Sequence, residues 1–228
     1  MKFLSFLILL ISFNMMADSD FDKAEKLYQQ EKYQQAKVLF ESYLKSNPNN
    51  YKTIEYLGDI AGHQKKWDEA IKYYKILKTQ FSKSADYWYK YGGALGMKAK
   101  SVNKFKALGM IDDVENAFLT AAKLDVNHID SRWALVMLYI ELPGIVGGSE
   151  VKAVKFSNEL MELSKVDGYL SKGYIDEYFN RYKKAEVSYI KAHEIGNSKT
   201  TFQKLYNLYL NKFKDKAKAT KLKEQFEK

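Results

Sequence analysis

The sequence predicts an all-α chain built as a solenoid of helical hairpins, and three observations carry that prediction. Tyr33 and Trp67, Ala36 and Ala70, and Phe40 and Tyr74 each stand 34 residues apart, and a fixed period of this length marks stacked two-helix units. Leu57-Gly58 returns as Tyr91-Gly92 at the same spacing. Only two prolines occur, Pro48 and Pro143, which leaves long stretches open to helix. Stacked hairpins offer an extended surface rather than a catalytic cleft, so the period bears on function as well as fold.

The elements follow in chain order. Lys2 supplies a positive start, Phe3 to Phe13 is almost wholly apolar, and polarity returns at Asn14 and Asp18. That apolar run is shorter than the roughly 20 residues a bilayer span needs, and the pattern predicts an export signal over residues 1–17, cut after Ala17. The other reading is a buried N-terminal helix or an uncleaved anchor. Residues 18–228 then form a single solenoid of about six hairpins, starting near residues 17, 51, 85, 129, 166 and 199. In each, the first helix carries a large residue, Leu-Gly or its equivalent, and another large residue. The second carries aromatic, Ala, aromatic and Ala or Leu at amphipathic spacing. Unit one shows Ala24, Tyr33, Ala36, Phe40 and Leu44; unit two shows Leu57, Gly58, Trp67, Ala70 and Tyr74. Unit three opens with Trp88, Tyr91, Gly92 and Leu95, but its second half is displaced to Val114, Phe118 and Ala121. Unit four carries Leu135, Tyr139, Ala153 and Leu160, and unit five Gly173, Tyr182, Ala185, Tyr189 and Ala192. Unit six carries Phe202, Leu205, Tyr206 and Tyr209, and its second helix, from Lys214 to Phe226, is strongly polar, as a terminal cap should be. Two insertions break the period, at 98–106 and 142–149. Pro143 ends the helix before the second, and Ser149 suits the N-cap of the helix after it.

This pattern resembles the tetratricopeptide repeat (TPR) family, in an exported bacterial form, over nearly the whole mature chain. The resemblance implies a right-handed superhelix whose first helices line a concave groove. Carried over position by position, it implies groove residues Tyr28, Glu55, Asp59, His63, Tyr89, Trp133, Glu141, Tyr174, Glu177 and Tyr178. Further positions of the same kind include Glu25, Gly93, Gly96, Met97 and Met137. Asp18, Asp86, Asp130 and Asp167 occupy a position that often caps helices, and are set aside. None of the carried-over positions is Lys or Arg, which implies an aromatic, mildly acidic groove free of positive charge, suited to a protein or peptide segment bearing a cation. The competing reading is that several of them belong to the core between repeats, which also excludes lysine.

Positive charge gathers elsewhere. The formal net charge is +9, yet residues 199–228 alone contribute +6 and residues 98–106 contribute +4. Lys212, Lys214, Lys216, Lys218, Lys221 and Lys223 form a basic surface with three readings: a solvated cap, a contact to an anionic membrane surface or polymer, and a nucleic-acid contact. Export and the presence of only two arginines, Arg132 and Arg181, disfavour nucleic acid, because arginine makes most base-specific contacts. The 98–106 insertion admits a membrane-touching reading too, with Phe105 and Leu108 opposite its lysines, beside the plainer one of an elongated turn.

Enzymatic chemistry finds little support. Cysteine is absent, which excludes disulfides, thiolate metal sites and a cysteine nucleophile. His63, His128 and His193 are spaced as ordinary helix or turn histidines. Gly144-Ile-Val-Gly-Gly-Ser149 precedes a helix but lacks the spacing and the Lys-Ser/Thr ending of a phosphate loop. The expectation is therefore a non-catalytic, exported interaction scaffold with no cofactor, or alternatively an adaptor docking through its lysine-rich end.

Overall fold

The computed structural model describes residues 20–227, so the export signal read over residues 1–17 lies outside them. The described residues form thirteen α-helices and no strand. They run as α1 (Asp20–Gln29), α2 (Tyr33–Ser46), α3 (Tyr51–His63), α4 (Trp67–Gln80), α5 (Ala85–Ser101), α6 (Lys104–Leu108) and α7 (Ile111–Leu124), then α8 (Ile129–Glu141), α9 (Glu150–Leu163), α10 (Lys165–Tyr178), α11 (Tyr182–Gly196), α12 (Lys199–Asn207) and α13 (Lys216–Phe226). Each helix packs mainly on the helices next to it in the chain, except that α7 packs chiefly on α5 across the short α6, and α8 additionally touches α5 and α10. That is the contact pattern of a solenoid.

Local sequence fixes where the first helices start. Asn50, Ser84, His128, Ser164 and Ser198 each accept a hydrogen bond from a backbone N–H of the first turn that follows, satisfying donors that a helix start leaves orphaned. Besides α7, which follows the first insertion, three second helices, α2, α4 and α11, have no side-chain cap. Their turns are made by the backbone instead. Glu31, Lys65 and Asn180 adopt left-handed φ of 58°, 57° and 59°. The next residues, Lys32, Lys66 and Arg181, donate back to Leu27, Ala61 and Asp176 at 2.8–2.9 Å. This is the Schellman pattern, repeated three times. In units three and four the two insertions replace that turn.

The first insertion lengthens α5 to Ser101 and adds α6, capped by Asn103. The second is a 3₁₀ turn, Gly144–Val146, closed by Gly147 at φ 101°. A Cβ on Gly148 would lie 1.8 Å from the Leu142 carbonyl oxygen, so only glycine fits there. Ser149 then caps α9 through the Lys152 N–H.

Core residues come from the small–aromatic pattern. Ala36, Phe40, Ala70, Leu77, Ala121, Leu135, Ala153, Leu160, Ala185 and Tyr189 are fully buried. Glycines stand where the two helices of a hairpin approach most closely: a Cβ on Gly58 would meet the Tyr74 ring at 2.8 Å, and one on Gly173 the Tyr189 ring at 2.3 Å. Trp133 packs against both the central cluster and the C-terminal one, joining the two halves of the array.

The last helix is less polar in its packing than its composition suggests. Ala219 and Leu222 are buried, and Phe226 stacks on Phe202 with centroids 4.4 Å apart. Spaced at i, i+3 and i+7, the three make one apolar stripe, and the lysines occupy the remaining surface.

Candidate interaction site

Tyrosines buried by the repeat pattern need partners for their hydroxyls, and the carboxylates of the first helices supply them. Tyr74 donates to Asp59 at 2.6 Å, Tyr189 to Glu177 at 2.9 Å, Tyr174 to Glu141 at 3.1 Å, and Tyr56 to Glu25. Burial first, then the adjacent carboxylate, pushes the phenols of Tyr74, Tyr174 and Tyr189 well above their ordinary value. These acids therefore complete the core as well as facing outward.

The expectation of a face free of positive charge is corrected. Lys90 reaches in from α5 and places its Nζ 2.8 Å from both Glu55 and Asp59. Burial alone would lower the Lys90 amine, but the two carboxylates outweigh it and raise its pKa. Burial likewise works against ionised Glu55, and the Lys90 ammonium overcomes it, so Glu55 titrates below its ordinary range. Lys100 pairs with Glu141 at 2.6 Å. Neither lysine is a carried-over groove position. Their four-carbon stems bring charge in from flanking positions, an effect that position-by-position reading misses.

The aspartates set aside as caps also stand differently. Asp86, Asp130 and Asp167 lie inside the first turns of their helices, two or three residues after the capping residue. Asp86 contacts the His128 ring at 3.1 Å, and Asp167 accepts the Trp133 indole N–H at 2.8 Å. Asp130 is exposed and makes no hydrogen bond or ion pair among the described residues.

Three groove residues of the sequence reading meet at one place. Tyr89, Trp133 and Glu141 line a pocket of about 480 Å³ where α5, α6, α7 and α8 converge. Gly93, Gly96, Val114, Phe118, Met137 and Leu138 supply much of its apolar wall, and Asp130 and Lys100 stand on its lining. Ala99 and Lys100 from the first insertion, Ala107 just after it and Leu142 from the second also line it, so both breaks in the period border the same cavity. Its volume falls within the ~300–1,000 Å³ typical of ligand pockets. Burial, then the nearby Asp130 carboxylate, raises the Tyr89 phenol.

The other predicted groove residues lie apart from this pocket. Tyr28 packs against Tyr56 at 4.8 Å and Tyr33 at 5.4 Å, and His63 stacks on Tyr33 at 4.4 Å. Together they form an aromatic cluster at the start of the array, next to Glu55 and Asp59. Tyr178 is half exposed beside Phe179. Of the predicted basic surface, Lys218 pairs with Glu186 at 2.9 Å and Lys223 with Glu227 at 3.6 Å. Lys212 lies over the Tyr182 ring, and Lys214 holds a left-handed turn at φ 56°. Lys216 and Lys221 project into solvent. No cluster of three or more metal-binding side chains occurs among the described residues, and no described helix is long and apolar enough to cross a membrane.

Several solved structures with a similar fold are described as TPR proteins. A thermophilic TPR protein of Thermus thermophilus, TTC0263, superposes with a TM-score of 0.67 at 15% identity, covering 84% of this chain and 97% of its own. The chain has the tetratricopeptide-repeat fold. A TPR protein of Parabacteroides merdae matches at TM-score 0.63 and 16% identity, over 90% of this chain and 77% of its own. YrrB, described as a TPR protein with an unusual peptide-binding site, matches at 0.53 and 15% identity, over 80% of this chain and 87% of its own. No protein-family model and no curated protein sequence matches the chain. At these identities the likeness concerns the TPR architecture. Within it, the pocket bordered by both insertions is the feature that departs from plain repetition.

Proposed function

We propose that this protein is a non-catalytic interaction scaffold, exported from the cell, that binds a protein or peptide partner on the face carried by its first helices and assists assembly of an envelope complex. The single observation that carries the reading is the open, apolar pocket at Tyr89, Trp133 and Glu141. Aromatic walls give large contact area with few rotors to freeze, which suits peptide recognition. The peptide-binding description of YrrB lends this reading support at the level of fold.

The test is retention of envelope proteins on immobilised wild-type chain and on Trp133→Ala and Tyr174→Ala variants. A protein held by the wild type and lost from both variants supports the groove; equal retention by all three overturns it. Export is tested separately, by N-terminal sequencing of the mature cellular protein, and recovery of residues 1–17 would overturn that part. The adaptor alternative places the contact on the lysine-rich C-terminal helix, where the amines of Lys216 and Lys221 are uncommitted. It requires binding to anionic vesicles that collapses as salt rises to physiological strength.

A further inference from the structure

Gly92 and Gly93 are neighbours in sequence and opposites in packing. A Cβ on Gly92 would sit 2.9 Å from both the Ala117 Cβ and the Phe118 ring, so the fold itself demands glycine there. A Cβ on Gly93 would meet nothing within 4 Å, and one on Gly96 would meet only Val114 Cγ1, at an ordinary 3.6 Å. Glycine inside a helix is costly relative to alanine, and neither of these two has a packing reason for it. Both line the pocket. What their missing side chains leave is the space itself.

The charges around that space are unequally engaged. Glu141 is held by Lys100 and by the Tyr174 hydroxyl. The Trp133 indole N–H is given to Asp167. Of the carboxylates on the lining, Asp130 alone is unpaired, beside the Tyr89 ring. The one lysine on the lining, Lys100, is already neutralised, so the pocket offers an anionic ligand no free cation. It offers a cation a carboxylate, with the aromatic side chains of Tyr89 and Trp133 on the same lining.

We propose that this pocket anchors one bulky apolar side chain of a partner peptide in which a Lys or Arg stands beside that side chain and meets Asp130. The proposal rests on the scaffold reading and narrows it to a sequence class. The apolar side chain loses water against Val114, Phe118, Met137 and Leu138, and the adjacent cation fixes its orientation at the mouth. A lipid with an anionic headgroup fits worse, because Asp130 repels it and Lys100 is occupied.

The probe is a displayed library of random dodecapeptides, selected on the full chain and counter-screened on variants. Gly93→Leu fills the pocket from a position with open space, and Gly96→Met does so independently should the first fail to fold. Peptides enriched on the wild type are expected to pair a large apolar residue with Lys or Arg. They should lose at least about tenfold in affinity on either filled variant, while the melting temperature stays level or rises. Asp130→Asn should weaken the same peptides about threefold to tenfold and flatten their salt dependence. Enriched peptides that bind the filled variants as well as the wild type overturn the pocket but leave the scaffold standing. Failure of any peptide to enrich, with envelope partners indifferent to Trp133→Ala, overturns both. Competition by anionic vesicles and not by cationic peptides assigns the pocket to lipid and overturns the proposal.

Discussion

Two stretches of the same face solve the problem of exposed helix surface in opposite ways. At the junction of α3 and α5, the charged groups find partners inside the chain. Glu55 and Asp59 share Lys90, and Asp59 also takes the Tyr74 hydroxyl. Two repeats' worth of charge is consumed in holding two hairpins together. One unit further on, at α5, α7 and α8, apolar walls are left open and one carboxylate is left idle. The difference teaches that charge at a groove position is no measure of what the groove can bind; the measure is what remains after the chain has satisfied itself.

Substitutions at four positions sharpen this contrast. Lys90→Met strands two partly buried carboxylates and should cost about 2–3 kcal/mol, a figure kept below the usual 3–5 because the lysine is about a quarter exposed. For a chain of this size that lowers Tm by about 5–10 °C in a thermal melt. The pH profile carries the sign. Glu55, with its depressed pKa, contributes stability above its ordinary 4.5 that is lost as pH falls through the lowered value. Lys90, with its raised pKa, contributes stability below its ordinary 10.5 that is lost as pH rises through the raised value. Lys90→Met should flatten both limbs, and a variant that melts with the wild-type pH profile would show that the network does not couple α3 to α5.

A smaller effect is expected at Gly92→Ala, where crowding of Phe118 and Ala117 should outweigh the helix gain by about 1–2 kcal/mol. Gly93→Ala, one residue on, should reverse the sign and stabilise by up to about 1 kcal/mol. Denaturant midpoints for the two variants decide the matter together, since equal shifts would erase the distinction between packing glycine and pocket glycine. Least of all, Asp130→Asn should alter stability by no more than about 0.5 kcal/mol, because it breaks no contact. A larger loss would mean that Asp130 is structurally engaged after all.

The fold class was legible because the hairpin pattern is written in residue types with few alternatives. Ala36, Ala70 and Ala185 mark close helix approach, and Phe40, Tyr74 and Tyr189 mark the gaps that must be filled. The site was legible only in part. Tyr89 and Trp133 could be placed on one face by period, yet nothing in the spacing revealed that they share a cavity with Leu138 and Ala107. That meeting depends on the extra turn of α5 and on α6, which the sequence marked only as an interruption. Lys90 was missed because it falls between groove positions and reaches them by its length, although its separation of 35 residues from Glu55, one period plus one, is a signal that could have found it. Gly92 and Gly93 are indistinguishable as letters. A turn of about 100° along the helix separates them, and only coordinates say which one faces Phe118.

The stripe of Ala219, Leu222 and Phe226 on α13 has a consequence for self-association. Repeat arrays carry their own adhesive at each open end, and a bare hairpin invites another copy to continue the stack. Here the inner side of the last helix is spent on Phe202 and its neighbours, while the outer side presents lysines that hold water tightly. A second molecule adding at this end would have to dehydrate several like charges at once. Extending the stack through α13 therefore carries an electrostatic cost that extending it through an apolar helix face would not.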